Sequence, residues 1–205
     1  VNFINPPIAD LKAKSGKTPT SFYENIDVLS QNNWELHKRL VETGVNPNPI
    51  AVAIVNDDVE ALIKLSSNPN FSPRMIIEKS IYERHSMASD YPLVINYALF
   101  YHSEKCLNFL FCINPQCTKP ASLKFALCGG GINFFRDYID IDNFKLHDFD
   151  FSSAIMYHRP DCIKFGLTNC SSPKMMNYAK LMIEYCEYQS LCKVLYACNF
   201  SHQEL

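Results

Sequence analysis

The residues best able to do chemistry in this chain are two Tyr-His pairs, Tyr101-His102 and Tyr157-His158, with nine cysteines and two glycine-bearing segments. A histidine beside a tyrosine suits general acid–base work, provided that a nucleophile or a carboxylate meets it in a pocket. Both pairs stand at equivalent turns of the repeat set out below. That place has a structural reason, because His tolerates the turn conformation and Tyr packs beside it. Zinc at Cys106, Cys112 and Cys117 would need a spacing such as C-x2-C. The cysteines are instead separated by five and four residues, with no His at a matching distance. Gly129-Gly130-Gly131 is followed by no Lys-Ser/Thr, and Lys14-Ser15-Gly16-Lys17-Thr18 lacks the earlier glycine of a phosphate loop. The expectation is a chain without catalytic residues, metal or cofactor, and not an enzyme.

Composition narrows the partners. A formal net charge of −2 offers no basic face to neutralise phosphates, so nucleic acid is not expected. Hydrophobic residues are 47% and charged residues 20%, which describes a chain able to build a core over its 205 residues. No apolar run approaches the roughly 20 residues that span a bilayer. Val1 to Asp10 lack the basic start and apolar core of a signal peptide. The cysteine count is odd, and Cys106, Cys128, Cys162, Cys186 and Cys192 fall inside helical patterns, where free Cys acts as a small buried hydrophobe. Reduced thiols and a cytoplasmic location are expected.

The elements that must position these residues emerge when the chain is lined up against itself. Val94-Ile95-Asn96-Tyr97-Ala98-Leu99, Ser122-Leu123-Lys124-Phe125-Ala126-Leu127 and Asp150-Phe151-Ser152-Ser153-Ala154-Ile155 place an alanine every 28 residues. A small residue at fixed phase, with apolar residues three before and one after, marks the packed face of a short helix. About eight residues later comes a second apolar cluster, Cys106 to Leu110, Phe134 to Ile139 and Cys162 to Leu167. Four residues after each alanine stand His102, Gly130 and His158, types that accept a left-handed helix stop.

To the left, Pro49 to Ile54 starts a unit whose turn is Asn56-Asp57-Asp58 and whose second helix is Val59 to Leu65. Before it, Phe22 to Leu29 gives a first helix; Asn32 to Asn48 gives a turn, a second helix, a Gly44 stop and a Pro-bearing loop. To the right, Tyr178 to Tyr185 and Ser190 to Tyr196 form a last pair, which makes six units. Ser66 to Asp90 is extra chain, in which Met75 to Tyr82 is expected to add a helix with Ile77 and Ile81 on one face, a worn-down repeat being the alternative. Residues 1–20 read as a leader, 21–196 as the repeat array with its insertion at 66–90, and 197–205 as a polar tail.

Asn48-Pro49-Ile50-Ala51-Val52-Ala53-Ile54-Val55-Asn56-Asp57-Asp58-Val59-Glu60 resembles the ankyrin repeat's Thr-Pro-Leu-His-x-Ala-Ala-x-x-Gly-His-x-Glu signature, and Leu40 to Asn48 its Leu-Leu-x-x-Gly-Ala-Asp-x-Asn ending. The later units, with Ala98 to His102 and Ala154 to His158, resemble the degenerate ankyrin-like repeats of parasitic protists and large DNA viruses. Their 28-residue period is shorter than the family's roughly 33 and implies vestigial hairpins between units. The resemblance implies an all-α solenoid of about six stacked helix–turn–helix repeats. It also implies binding through a concave face, to which the residues one before and three after the phased alanine contribute. Val52 and Asn56, Tyr97 and Tyr101, Phe125, and Tyr157 then form a partner-binding strip, aromatics being common interface anchors. Burial of the same rings against neighbouring repeats is the competing expectation. The function expected is a protein–protein interaction scaffold or adaptor, or a structural component of a larger assembly. Its partner is another protein and not a small-molecule substrate or a membrane. The alternatives are a pathogen effector that binds and blocks a host protein, and an enzyme with a site grafted on the array.

Overall fold

The computed structural model describes residues 25–116, 122–134, 151–169 and 172–197. The leader with its Gly-Lys-Thr, Phe22, Cys117, Phe135 to Ile139, Asp150 and the tail beyond 197 lie outside the described residues. No described residue belongs to a strand, and the fold is all-α. Among the same residues no helix is long and apolar enough to cross a membrane. The chain divides into two compact units, Val1–Tyr97 and Ala98–Leu205, with the boundary inside the helix Val94–Tyr101.

In the first unit, α1 (Ile26–Leu29) packs on α2 (Gln31–Thr43), and α3 (Pro49–Val55) on α4 (Val59–Ser66). The starts of α3 and α4 are written in the sequence. Pro49 occupies the first turn of α3, where its missing N–H costs nothing, and the Asn48 side chain accepts the Ile50 N–H at 2.9 Å. Asp58 does the same for the Ala61 N–H at 3.0 Å. Gly44 ends α2 at φ 64°, its N–H bonded to the Leu40 carbonyl at 3.2 Å.

The expected helix over Met75–Tyr82 does not form. Ile76 makes an isolated antiparallel bridge to Leu93, the Ile77 N–H donates to the Pro92 carbonyl at 2.8 Å, and the Val94 N–H to the Met75 carbonyl at 2.9 Å. The backbone groups that a helix would pair internally are spent on the chain leading into α6 (Val94–Tyr101). Ile77 is buried while Ile81 is exposed, so the two do not share a packed face. The only helical turn in the insertion is α5 (Ser86–Ser89). Side chains hold the rest. Asn46 Nδ2 donates to the Glu78 carbonyl at 2.8 Å, and Arg84 Nη2 to the carbonyls of Val41 and Glu42 at 2.6 and 2.9 Å. Arg84 thereby places a cation on the carbonyl end of α2, where the helix dipole favours it.

The second unit contains the end of α6, then α7 (Glu104–Ile113), α8 (Ser122–Gly129), α9 (Ser152–Met156), α10 (Pro160–Asn169), α11 (Ser172–Glu184) and α12 (Tyr188–Ala197). The α8 helix packs on α9 and α9 on α11, while α10 packs on α12, so consecutive hairpins lie side by side with like helices in contact. Leu123, Leu127, Phe151, Ile155, Ile163 and Met182 belong to one buried cluster between them.

One backbone device recurs at the end of every first helix from α3 onward. Asp57, His102, Gly130, His158 and Cys186 take positive φ, at 49°, 53°, 84°, 52° and 60°. In each case the N–H of the next residue reaches back to the carbonyl of Ala53, Ala98, Ala126, Ala154 or Met182, at distances from 2.7 to 3.1 Å. The N–H of the positive-φ residue itself bonds the carbonyl three before it, as from His158 to Ile155 at 3.1 Å. These paired bonds are the Schellman stop, which satisfies carbonyls that the helix end leaves open. The phased alanines are buried, and Met182 continues their 28-residue step with no exposed surface. Side-chain size at that phase is the one thing that changes, which is why the last unit is hard to see in the sequence.

Candidate functional site

The face expected to bind is built on the first helices, whose orientation the Schellman stops fix. Its members do not share one environment. Tyr97 has no exposed surface, and its hydroxyl donates to Glu83 Oε2 at 2.6 Å. A ring with no accessible area offers nothing to a partner, so Tyr97 belongs to the core of the first unit. The reason is the insertion, which brings the carboxylate of Glu83 onto α6. Val52 and Asn56, also in the first unit, are exposed at their expected positions.

In the second unit Tyr101, Phe125 and Tyr157 are half-buried. Tyr101 and Tyr157 are joined by a residue that the sequence reading did not single out. Phe100, almost fully buried, sets its ring edge-on to Tyr101 at 5.1 Å and to Tyr157 at 5.3 Å. These T-shaped contacts suit the ring quadrupoles and fix both tyrosines at low rotamer freedom. Gly129 takes the position that Tyr101 and Tyr157 hold in their own helices. A Cβ there would strike the Leu99 carbonyl, so the glycine lets α8 approach the end of α6. The register also continues further than expected, with Leu181 and Tyr185 half-buried at the matching positions of α11.

The turns add polar groups along one line of the second unit. A Cβ on Gly130 would touch the Arg159 side chain, whose Nε donates to the Cys128 carbonyl. His158 Nδ1 lies 2.6 Å from Glu187 Oε1, and His102 Nε2 3.5 Å from Glu104 Oε1. Gly130 and His158 thus each meet the following turn one repeat later, whereas the His102–Glu104 pair lies within one hairpin. An imidazole and a carboxylate are present, but the buried thiols of the same unit are poor nucleophiles. Burial pushes Cys128 and Cys162 up to about 11, against an Arg159 charge that acts the other way, and so keeps both protonated at neutral pH.

The six described cysteines are free. Cys106, Cys128 and Cys162 are buried as small hydrophobes, while Cys112, Cys186 and Cys192 are exposed. Cys186 and Cys192 depart from expectation, the first because it is a turn residue and not a helix-core one, the second because it lies on an exposed side of α12. Among the described residues no group of three or more His, Cys, Asp and Glu side chains is arranged to hold a metal ion. Comparison with family models, with curated proteins and with solved structures finds no match to this chain.

Proposed function

We propose that the chain is a solenoid of ankyrin-like helical hairpins that serves as a protein–protein interaction scaffold or adaptor. The observation that carries this reading is the register of Tyr101, Phe125 and Tyr157. Tyr101 and Tyr157 stand three residues after the phased alanines of their helices and Phe125 one residue before its own, and all three are half-buried aromatics. Rigid rings of this type give large contact area for little entropy lost, and Tyr adds a hydroxyl for a polar partner. Stacked hairpins multiply such positions along one face, and repeat proteins use that extended surface for binding. A cytoplasmic setting belongs to the same proposal, supported by the free thiols of the described cysteines.

The test is affinity purification from the source cell with the wild-type chain and with Tyr101→Ala and Tyr157→Ala, alongside melting curves of each. Each truncation is expected to weaken partner capture by about 1–2 kcal/mol, with folding retained. A variant that folds and binds as the wild type does removes the aromatic register from the interface.

A further inference from the structure

The second unit contains an internal control for what covers a helix face. The residue directly after the phased position is the one that the next hairpin seals. Leu99, Leu127 and Ile155 hold that place on α6, α8 and α9 and are 2%, 0% and 1% exposed. On α11 the same place is Ile183, and it is 46% exposed. The turn beside it shows the same difference. Gly130 is met by Arg159 and His158 by Glu187, each from the following hairpin, whereas Cys186 is exposed and is bonded from within its own hairpin by the Tyr188 hydroxyl at 3.6 Å. The outer side of α11 therefore carries the surface on which, one and two repeats earlier, a neighbouring first helix is seated.

We propose that this face pairs with the same face of a second copy of the chain. Two observations select that occupant. The face continues the contact by which α8 packs on α9 and α9 on α11, so its shape already suits a helix laid along it. Its charges are self-complementary. Lys180 stands exposed one turn before Ile183, and Glu184 stands exposed just after it. When two α11 helices run antiparallel about a twofold axis near Ile183, the isoleucines meet at the axis. The Lys180 ammonium of one copy then faces the part of its partner that carries Glu184, and the arrangement repeats by symmetry. A single helix pair gives less than the roughly 1,200 Å² buried in a standard stable complex, so the dimer is weak and reversible. The inference rests on the stacking within the second unit and not on the partner-binding role of the aromatic register.

Sedimentation equilibrium of the full chain over a dilution series is the test, with melting temperature recorded for every variant. The wild type is expected to show a concentration-dependent monomer–dimer equilibrium. Ile183→Asp is expected to abolish it without lowering the melting temperature. Lys180→Glu alone should weaken association by about 3-fold or more, since a charge facing its like is repelled, and adding Glu184→Lys should recover association relative to that single variant. A wild-type chain that stays monomeric throughout overturns the proposal. A monomeric chain that Ile183→Asp destabilises would mean that residues beyond 197 cover the face, which overturns it equally. Association that survives Ile183→Asp places the dimer contact elsewhere and does the same.

Discussion

The insertion of the first unit and the turns of the second hold their neighbours by opposite means. Between Ser66 and Leu93 the chain is short of helix, and it is fixed by single polar contacts to residues far off in sequence: Asn46 to Glu78, Arg84 to the end of α2, and Tyr97 to Glu83. None of these is repeated. In the second unit the same two backbone bonds close every first helix, and a small or flexible apolar residue sits at the same buried phase each time. Loss of one repeated contact leaves its copies in place, whereas each anchor of the insertion is single. A polar contact in the interior also has no water to replace a lost partner. The difference teaches that stability in this chain is local and graded in the repeats, and concentrated in a few single contacts around the insertion, of which Tyr97 to Glu83 is the buried one.

The largest expected effect follows from that concentration. Tyr97→Ala removes a ring with no exposed surface and takes from Glu83 Oε2 the hydroxyl that donates to it. A loss of about 3–5 kcal/mol is expected for the aromatic truncation. Tyr97→Phe keeps the ring and deletes only the bond to a charged group, for about 1.5–3 kcal/mol. Urea unfolding of both variants separates packing from hydrogen bonding. A Tyr97→Ala variant as stable as the wild type would return this residue to the surface and break the contrast between the two regions.

Next in size is the phased alanine. Ala126 is 1% exposed in the contact between hairpins. Its replacement by Leu forces extra volume into a packed helix face, for a cost of about 1–3 kcal/mol. Gly129→Ala tests the same approach of helices through the backbone, since the added methyl meets the Leu99 carbonyl and not a side chain that can turn away. Thermal melting reads both. An unchanged melting temperature for Ala126→Leu would misplace the repeat.

Much of this arrangement was legible before any coordinates. The alanines at 98, 126 and 154 set the period, and His102, Gly130 and His158 announced left-handed stops that the backbone does adopt. The information there is local, because a Schellman stop is specified within six residues. The last repeat was legible as a helix pair but not in phase. Met182 fills the place of an alanine, and only the 28-residue step from Ala154 betrays it. The insertion was misread for a physical reason. Ile77 and Ile81 have helical spacing, yet the chain around Leu93 competes for the backbone groups of that segment. Nothing within the segment announces a competitor so far along the chain. The place expected for Tyr97 on the binding face fails for the same cause, because Glu83 reaches it from that insertion. For the expected strip, the repeat frame put Tyr101 and Tyr157 at one phase, and both are half-buried. Phe100, which ties Tyr101 to Tyr157, was not legible, because it lies off the two expected positions.

The smallest expected effect is the sharpest test of the comparison, because it holds geometry fixed. His158 Nδ1 and Glu187 Oε1 are 2.6 Å apart, the same separation as Tyr97 to Glu83. Their surroundings differ: the His158 side chain is 56% exposed, whereas Tyr97 has no exposure at all. Water and salt screen the exposed pair, and ordering two side chains at the surface offsets part of what attraction remains. A double-mutant cycle over His158→Ala and Glu187→Gln is expected to give a coupling of about 0–1 kcal/mol that shrinks with added salt. The cycle over Tyr97→Phe and Glu83→Gln should give the larger coupling and change little with salt, since mobile ions do not reach a buried contact. If the two cycles agree in size and in salt response, burial does not decide what these contacts contribute. The two regions would then differ in pattern but not in how they are stabilised.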